Sequence, residues 1–248
     1  MILKIAIKLS LVFSTFLILG CDVLKNDDIN SICENSPKLC ADFHQIGDCR
    51  FKRTTVIRAR YYDKIEPTAL HQRQLLTELD EYESCLELTL FMEFTRNKER
   101  KQQRLDNYLA TQALIQRKIK ESKQSEDPLL AYYLWTHYQD IQARNKFLAV
   151  ATKDDVSDPR ILFKLANLYA KNDPQEALNQ YYKGLHLSKS LDDIPTSTFA
   201  MIMTLFYQNK NFEDAYVWAL ISKEQDQLDE YPINLDLILK KVTLERLN

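Results

Sequence analysis

The chain has 248 residues, with 33 Lys+Arg against 35 Asp+Glu, 45% apolar and 10% aromatic residues, 5 Cys and only 3 Gly. That much apolar material builds one or two cores and excludes a disordered tail. Gly20, Gly47 and Gly184 are too scattered to write GxGxxG, GxxxxGK(S/T) or GxSxG, so glycine-built nucleotide enzymes and the common serine hydrolases are excluded.

Residues 1–20 carry Lys4 and Lys8, continue into the apolar run Leu9–Leu19, and end on Gly20 just before Cys21. Such a run is too short for a bilayer core of about 30 Å, which takes roughly 20 residues, and it reads as a secretory signal. Its end, Ile18-Leu19-Gly20-Cys21, resembles the bacterial lipoprotein box. The resemblance implies cleavage before Cys21 and acylation of that cysteine, with chains such as palmitate. Two or more acyl chains make a stable membrane anchor, whereas one alone is marginal. The mature chain keeps 31 basic and 35 acidic side chains. Neither nucleic acid nor nucleotide is an expected partner, and no cofactor is implied. Asp22 resembles the signal that retains proteobacterial lipoproteins in the inner rather than the outer membrane. The expected location is therefore periplasmic and lipid-anchored, with residues 21–32 as lipidated cysteine and tether. The tether reaches at most about 35 Å.

Cys33, Cys40, Cys49 and Cys85 remain, an even number in an exported chain, and two disulfides are the natural reading. Four cysteines allow three connectivities. Cys85 has no near neighbour and must close a long loop. The preferred pairing is Cys49–Cys85 with Cys33–Cys40, because Pro37 argues against a continuous helix that would hold the second pair about 10 Å apart. A zinc site from Cys33, Cys40, His44 and Cys49 is the competing reading, but its spacing lacks the short CxxC knuckle of most structural zinc sites.

Beyond residue 60 prolines mark helix starts. Asp127-Pro128, Asp158-Pro159 and Asp173-Pro174 each place a capping carboxylate before a proline at the first helical position, where the missing N–H costs nothing. Pro67 opens a helical stretch, Thr68–Thr95, with Leu75, Leu79, Tyr82, Leu86, Leu90 and Met92 on its apolar face. A second, 98–123, places Leu105, Tyr108, Leu109, Gln112, Ile115 and Ile119 at three- and four-residue steps. These two stretches pack as a hairpin or continue as one bent helix. Only Phe51–Tyr62, with Thr54-Thr55-Val56-Ile57, has strand character, and it lacks a partner. The chain reads as all-α.

In 159–222 large and small residues alternate. Leu162, Leu165, Ala166, Tyr169, Ala177, Tyr181 and Gly184 are answered by Phe199, Ile202, Met203, Phe206, Phe212, Ala215, Ala219 and Ser222. Both series resemble tetratricopeptide repeats, in which small residues let paired helices cross closely. Neighbours must complete the stack. Residues 128–152 supply a helix or helix pair on one side, and 233–248 a capping helix on the other. Over its length the sequence also resembles a family of gammaproteobacterial lipoproteins of unknown function. The carrying features are SICENSPKLCADF with Asp48-Cys49-Arg50, Val56-Ile57-Arg58, Arg60-Tyr61, Tyr82 with Cys85, Asp127-Pro128 and Tyr216–Ala219. The expected organisation is a signal peptide (1–20), the lipidated tether (21–32), a disulfide-stapled helical-hairpin part (33–125), and a tetratricopeptide-like α-α superhelix with its cap (126–248).

Stacked helix pairs bind along the face lined by each first helix. The corresponding positions are Arg160, Phe163, Asn167 and Lys171, then Ser197, Thr204, Tyr207 and Gln208. Arg160, Asn167 and Lys171 together suit a peptide carboxylate. The aromatic residues Tyr132, Tyr133, Trp135 and Tyr138 read as core packing rather than a ligand box. The basic stretches Arg96–Arg104 and Arg117-Lys118-Ile119-Lys120 read as solvated faces, with anionic lipid as the competing partner. His44, His71, His137 and His186 show no metal-ligand spacing, and no catalytic motif is present. The expected function is a non-enzymatic interaction module (a scaffold or adaptor) that binds an envelope protein or peptide and meets the bilayer through Cys21. The alternatives are an envelope enzyme acting on glycan or peptide, with carboxylates meeting in a cleft, or a small-molecule or lipid carrier.

Overall fold

The computed structural model describes residues 28–93, 96–225 and 234–246. The leader, Cys21 and Asp22 lie outside the described residues. Every regular element described is helical, and the helices fall into two compact units that divide between Lys120 and Glu121.

In the first unit, the short helix α1 (Ile29–Asn35) and a 3-10 turn (Pro37–Leu39) are joined by Cys33–Cys40, whose Cα atoms lie 5.7 Å apart. Helices α2 (Arg50–Ile65) and α3 (Ala69–Thr89) pack as an antiparallel pair, and Cys49–Cys85 ties the start of one to the end of the other. Of the three connectivities, this is the preferred one. With every sulfur of the Cys33, Cys40 and Cys49 set in a disulfide, a thiolate zinc site there is ruled out.

The strand character of Phe51–Tyr62 is overturned, because α2 is a sixteen-residue helix. Its buried face is Arg53, Val56, Ile57, Ala59, Arg60 and Asp63, with three- and four-residue steps. Three of those six side chains are charged, so an apolar pattern alone shows only the β-branched pair and Ala59.

Helix α4 (Glu99–Ser122) corrects a second expectation. Leu105 and Leu109 are exposed, and the buried face is Arg104, Asn107, Thr111, Leu114, Ile115, Ile119 and Ser122. The inward face is turned by about one residue from the one the leucines suggest. Its partners explain the choice, because the irregular segment between the 3-10 turn and α2 has backbone groups that need hydrogen bonds. Asn107 grips the His44 peptide from both sides, accepting its N–H at 2.6 Å and donating to its carbonyl at 3.0 Å. It also donates to the Tyr82 hydroxyl at 2.9 Å. Arg60 donates to the Leu39 and Lys38 carbonyls at 2.7 and 3.2 Å and to Asp42 at 2.9 Å. Arg53 donates to the Phe43 carbonyl at 3.0 Å. Arg104, fully buried, bonds Asp48 and donates to the Thr89 carbonyl at 2.8 Å. Lys118 pairs with Asp63 at 2.6 Å, tying α4 to α2. Burial pulls the Arg53 and Arg60 guanidiniums down from their ordinary values and pushes the Tyr82 phenol up to about 12. Tyr82 therefore stays a neutral hydrogen-bonding group at any physiological pH.

The second unit is a run of helix pairs: α5 (Pro128–Tyr138) with α6 (Ile141–Ala151), α7 (Pro159–Tyr169) with α8 (Pro174–Leu187), and α9 (Thr198–Gln208) with α10 (Phe212–Glu224). Helix α11 (Leu235–Arg246) packs on α10. Consecutive pairs also touch, α5 and α6 against α7 and α8 against α9, as in a helical-repeat superhelix. Asp127, Asp158 and Asp173 cap α5, α7 and α8, each accepting a backbone N–H of the first turn ahead of a proline. Asp140 and Asn211 cap α6 and α10 without a proline, so those starts carry a fainter sequence signal.

Close crossing between α7 and α8 has a specific cause. A Cβ placed on Gly184 would sit 2.7 Å from the nearest carbon of the Phe163 ring. Phe163, Ala166, Ala177, Leu178 and Tyr181 join Ile202 and Leu205 of α9 in one core. A second core, from Met203, Ala215, Ala219 and Ile238, seats α11.

Candidate functional site

The exposed side of α7 is fixed by what its other side buries. Ile161, Leu162, Phe163, Leu165 and Ala166 face inward, leaving Arg160 and Asn167 exposed and Lys164 half-buried at steps of four and three along one stripe, with Lys171 exposed in the turn that follows. Phe163 is 1% exposed and fills the space under Gly184, so it does not line a groove; that expectation is corrected. Lys164 takes its place on the stripe, with its ammonium 5.3 Å from the Tyr132 ring centre on α5. A helical step of four from Arg160 would have found it in the sequence.

Arg160 is committed locally, its Nε and Nη2 reaching the Asp158 carboxylate at 3.0 and 2.7 Å. That bond holds the guanidinium above its ordinary pKa, against a smaller opposing effect of burial. A pre-paired arginine is a weaker peptide-carboxylate clamp, because a ligand must compete with Asp158. Asn167 accepts the Tyr181 hydroxyl proton and stays exposed beside it, while Lys171 is exposed at the end of the stripe. Burial raises the Tyr181 and Tyr132 phenols, so both act as neutral hydroxyls. On α9, Thr204 is half-buried and donates to the Ala200 carbonyl at 2.7 Å. Tyr207 is half-buried against Phe212, with ring centres 5.3 Å apart. Ser197 is half-buried and Gln208 exposed.

The aromatic cluster divides. Tyr133 is buried and stacks on His137 at 3.9 Å, whereas Tyr132 and Trp135 are half-buried around the fully buried Phe147 of α6. The Arg144 guanidinium lies 5.4 Å from the Trp135 ring centre. The cluster fills the space between α5 and α6, which is the core-packing expectation. Its outer edge, Tyr132 under Lys164 and Trp135 under Arg144, presents two cation–aromatic pairs.

Carboxylates near the small cavity between Ser122, Lys123, Ser125, Asp140 and Lys146 are all engaged. Asp140 takes an ion pair from Lys123 at 2.8 Å and the Ala143 N–H at 2.9 Å, and these hold its carboxyl below the usual range. Glu126 pairs with Lys146 at 2.6 Å. A carboxylate so held is unsuited to donate a proton near neutral pH. Among the described residues, no group of three or more His, Cys, Asp or Glu is placed to hold a metal ion. Nor is any described helix long and apolar enough to cross a membrane.

Two features of the basic stretches differ from a plain solvated face. Arg104 is core rather than surface, and Lys118 and Ile119 turn inward, leaving Arg117 and Lys120 in solvent. Among the curated proteins and among the solved structures, none matches this sequence. One family model does match, over residues 18–220, a span that starts at Ile18 and takes in Cys21, all four disulfide cysteines and the helix pairs through most of α10. The chain belongs to that family, described as protein of unknown function (DUF2989).

Proposed function

We propose that the chain is a lipid-anchored periplasmic protein whose helix-pair unit acts as a non-enzymatic interaction module for another envelope protein or peptide. The carrying observation is the polar stripe of α7 and its following turn, with Asn167 and Lys171 exposed and half-buried Lys164 beside the Tyr132 ring of the preceding helix pair. Polar and cationic groups on a rigid helix, beside half-exposed aromatic rings, suit an extended acidic segment or a chain-terminal carboxylate. The resemblance of α7–α10 to tetratricopeptide repeats supports the same use of this face. Two disulfides support an oxidising compartment, and the Ile18–Cys21 box supports the anchor.

Cross-linking in native membranes, followed by identification of captured partners, tests the module. Lys171→Glu lies on the exposed end of the stripe and leaves the core untouched. It is expected to deplete the captured partner while the melting curve stays put. An unchanged capture pattern would remove the stripe from the proposal. Mass spectrometry of the mature N-terminus tests the anchor separately, and an unmodified Cys21 would refute it.

A further inference from the structure

Between the end of α3 and the start of α4 the first unit exposes large apolar side chains that no packing requirement explains. Leu88 is 83% exposed, Phe91 87% and Met92 48%. Leu90 and Leu105 line an open groove beside Phe91, together with Lys98, Lys101 and Gln102. Isolated exposed leucines are ordinary, but three large apolar side chains within five residues at a helix end form a patch of the kind that marks an interaction site. The neighbouring backbone is fixed, because Arg104 holds the Thr89 carbonyl and Cys85 is bonded to Cys49. Leu88 thus projects from a helix end held on both sides, at Cys85 and at Thr89.

The charges around the patch indicate what it meets. From Leu88 to Lys101 the sequence carries Arg96, Lys98, Arg100 and Lys101 against Glu93 and Glu99, an excess of two cations. Glu93 is paired with Lys101, and Arg100 lies 4.0 Å from Asp48. Arg96 and Lys98 are exposed at the turn itself. Glu87, one residue before Leu88, and Glu99 are also exposed, so from Glu87 to Lys101 the excess is one cation. An apolar tip with a cationic rim fits the interface of a bilayer, where rings and leucines enter the acyl boundary and Lys or Arg meet headgroup phosphates.

We propose that Leu88, Phe91 and Met92, rimmed by Arg96 and Lys98, seat the first unit on an anionic phospholipid surface. The inference rests on the anchor reading in one respect: acylated Cys21 keeps the surface at high effective concentration, so a weak contact is populated.

Hydrogen exchange on the full mature chain, in nanodiscs of phosphatidylcholine with and without phosphatidylglycerol, is the test. Amides of 88–102 should exchange about tenfold more slowly with phosphatidylglycerol present, the scale of attraction for one or two cations at such a surface. Leu88→Asp/Phe91→Asp should abolish that protection and Arg96→Glu/Lys98→Glu should reduce it, both without lowering the melting temperature, since all four side chains are in solvent. Equal exchange in the two compositions would overturn the proposal. The N-terminal mass of the same sample reports on the anchor alone. Should Cys21 carry no lipid, the chain is mixed with free vesicles instead: slowing confined to phosphatidylglycerol then supports the tip without the anchor, and no slowing refutes it.

Discussion

Gly184→Ala gives the sharpest test of how the helix pairs are held. In an open helix the change stabilises by about 0.8–1 kcal/mol, because glycine has the larger backbone entropy to lose. Here the added methyl would lie 2.7, 3.1 and 3.1 Å from three carbons of Phe163, where carbon pairs prefer roughly 3.5–4.0 Å. The ring or the helix must give by close to an ångström. Phe163 is enclosed by Ala166, Ala177, Tyr181 and Ile202, so it has little room to turn. Overpacking of this kind costs about 1–3 kcal/mol, and the tight surroundings place it at the upper end. The net expectation is a loss of about 2 kcal/mol, read by urea unfolding with tryptophan fluorescence, since Trp218 packs against the same core. Phe163→Leu should relieve the clash, so the double variant should fall short of the sum of the two losses by about 1 kcal/mol or more. A more stable Gly184→Ala protein, or an additive cycle, would refute the argument that this glycine exists for the crossing.

Arg104→Met removes the partner of Asp48 and the bond to the Thr89 carbonyl, and thermal unfolding should show a loss of about 3 kcal/mol, the low end for breaking a buried pair because Asp48 keeps some solvent. The Arg104 hydrogen bond also holds the Asp48 carboxyl below its ordinary value. Its contribution is therefore fully present above the unfolded-state pKa of about 3.9 and is lost as pH falls through the depressed folded value. Asp48→Asn should flatten the acid limb of a stability profile below about pH 4, and an unaltered limb would contradict the pairing. Removing Cys49–Cys85 by a double serine substitution reopens a loop of 36 residues and should cost about 4 kcal/mol in the chain-entropy account. Removing Cys33–Cys40, with a separation of 7, should cost nearer 2–2.5 kcal/mol. Equal losses from the two, measured by urea titration, would show that strain or residual structure outweighs loop length.

Much of the second unit is legible in the sequence for a local reason. Asp-Pro signals at 127, 158 and 173 are short-range chemistry, and the small residues Ala166, Ala177 and Gly184 report a close crossing without knowledge of the partner. Sequence spacing leaves the stripe uncertain by one position, at Phe163, because a step of three and a step of four both keep a residue near one face of a helix. Only the location of Gly184 beneath the ring decides that Phe163 belongs inside and Lys164 outside. The first unit is less legible because its core is partly polar. Arg53, Arg60 and Asp63 on α2, then Arg104, Asn107 and Thr111 on α4, occupy positions that a hydrophobic pattern would fill with leucine. Arg53, Arg60 and Asn107 bond backbone groups of residues 38–44, Arg104 bonds Asp48 and the Thr89 carbonyl, and Asp63 pairs with Lys118; no periodicity in α2 or α4 announces these partners.

That polar core accounts for features that otherwise look unrelated. The segment between the two disulfides is largely irregular, so its backbone groups have no ladder to join, and leaving them buried without partners would cost about 1–3 kcal/mol each. A larger apolar core could not satisfy them; polar side chains can, which is why Arg53, Arg60 and Asn107 bond its backbone and Arg104 holds its Asp48 carboxylate. The segment is consequently held in one conformation by bonds from α2 and α4 as well as by sulfur, and Phe43 packs edge-on against Tyr82 only when it is so held. Val56, Ile57, Arg60, Tyr82 and Cys85 all belong to this arrangement. Their first role is thus to fix the head, and the exposed surfaces outside that polar core, the α3–α4 tip and the α7 stripe, are where recognition is to be sought.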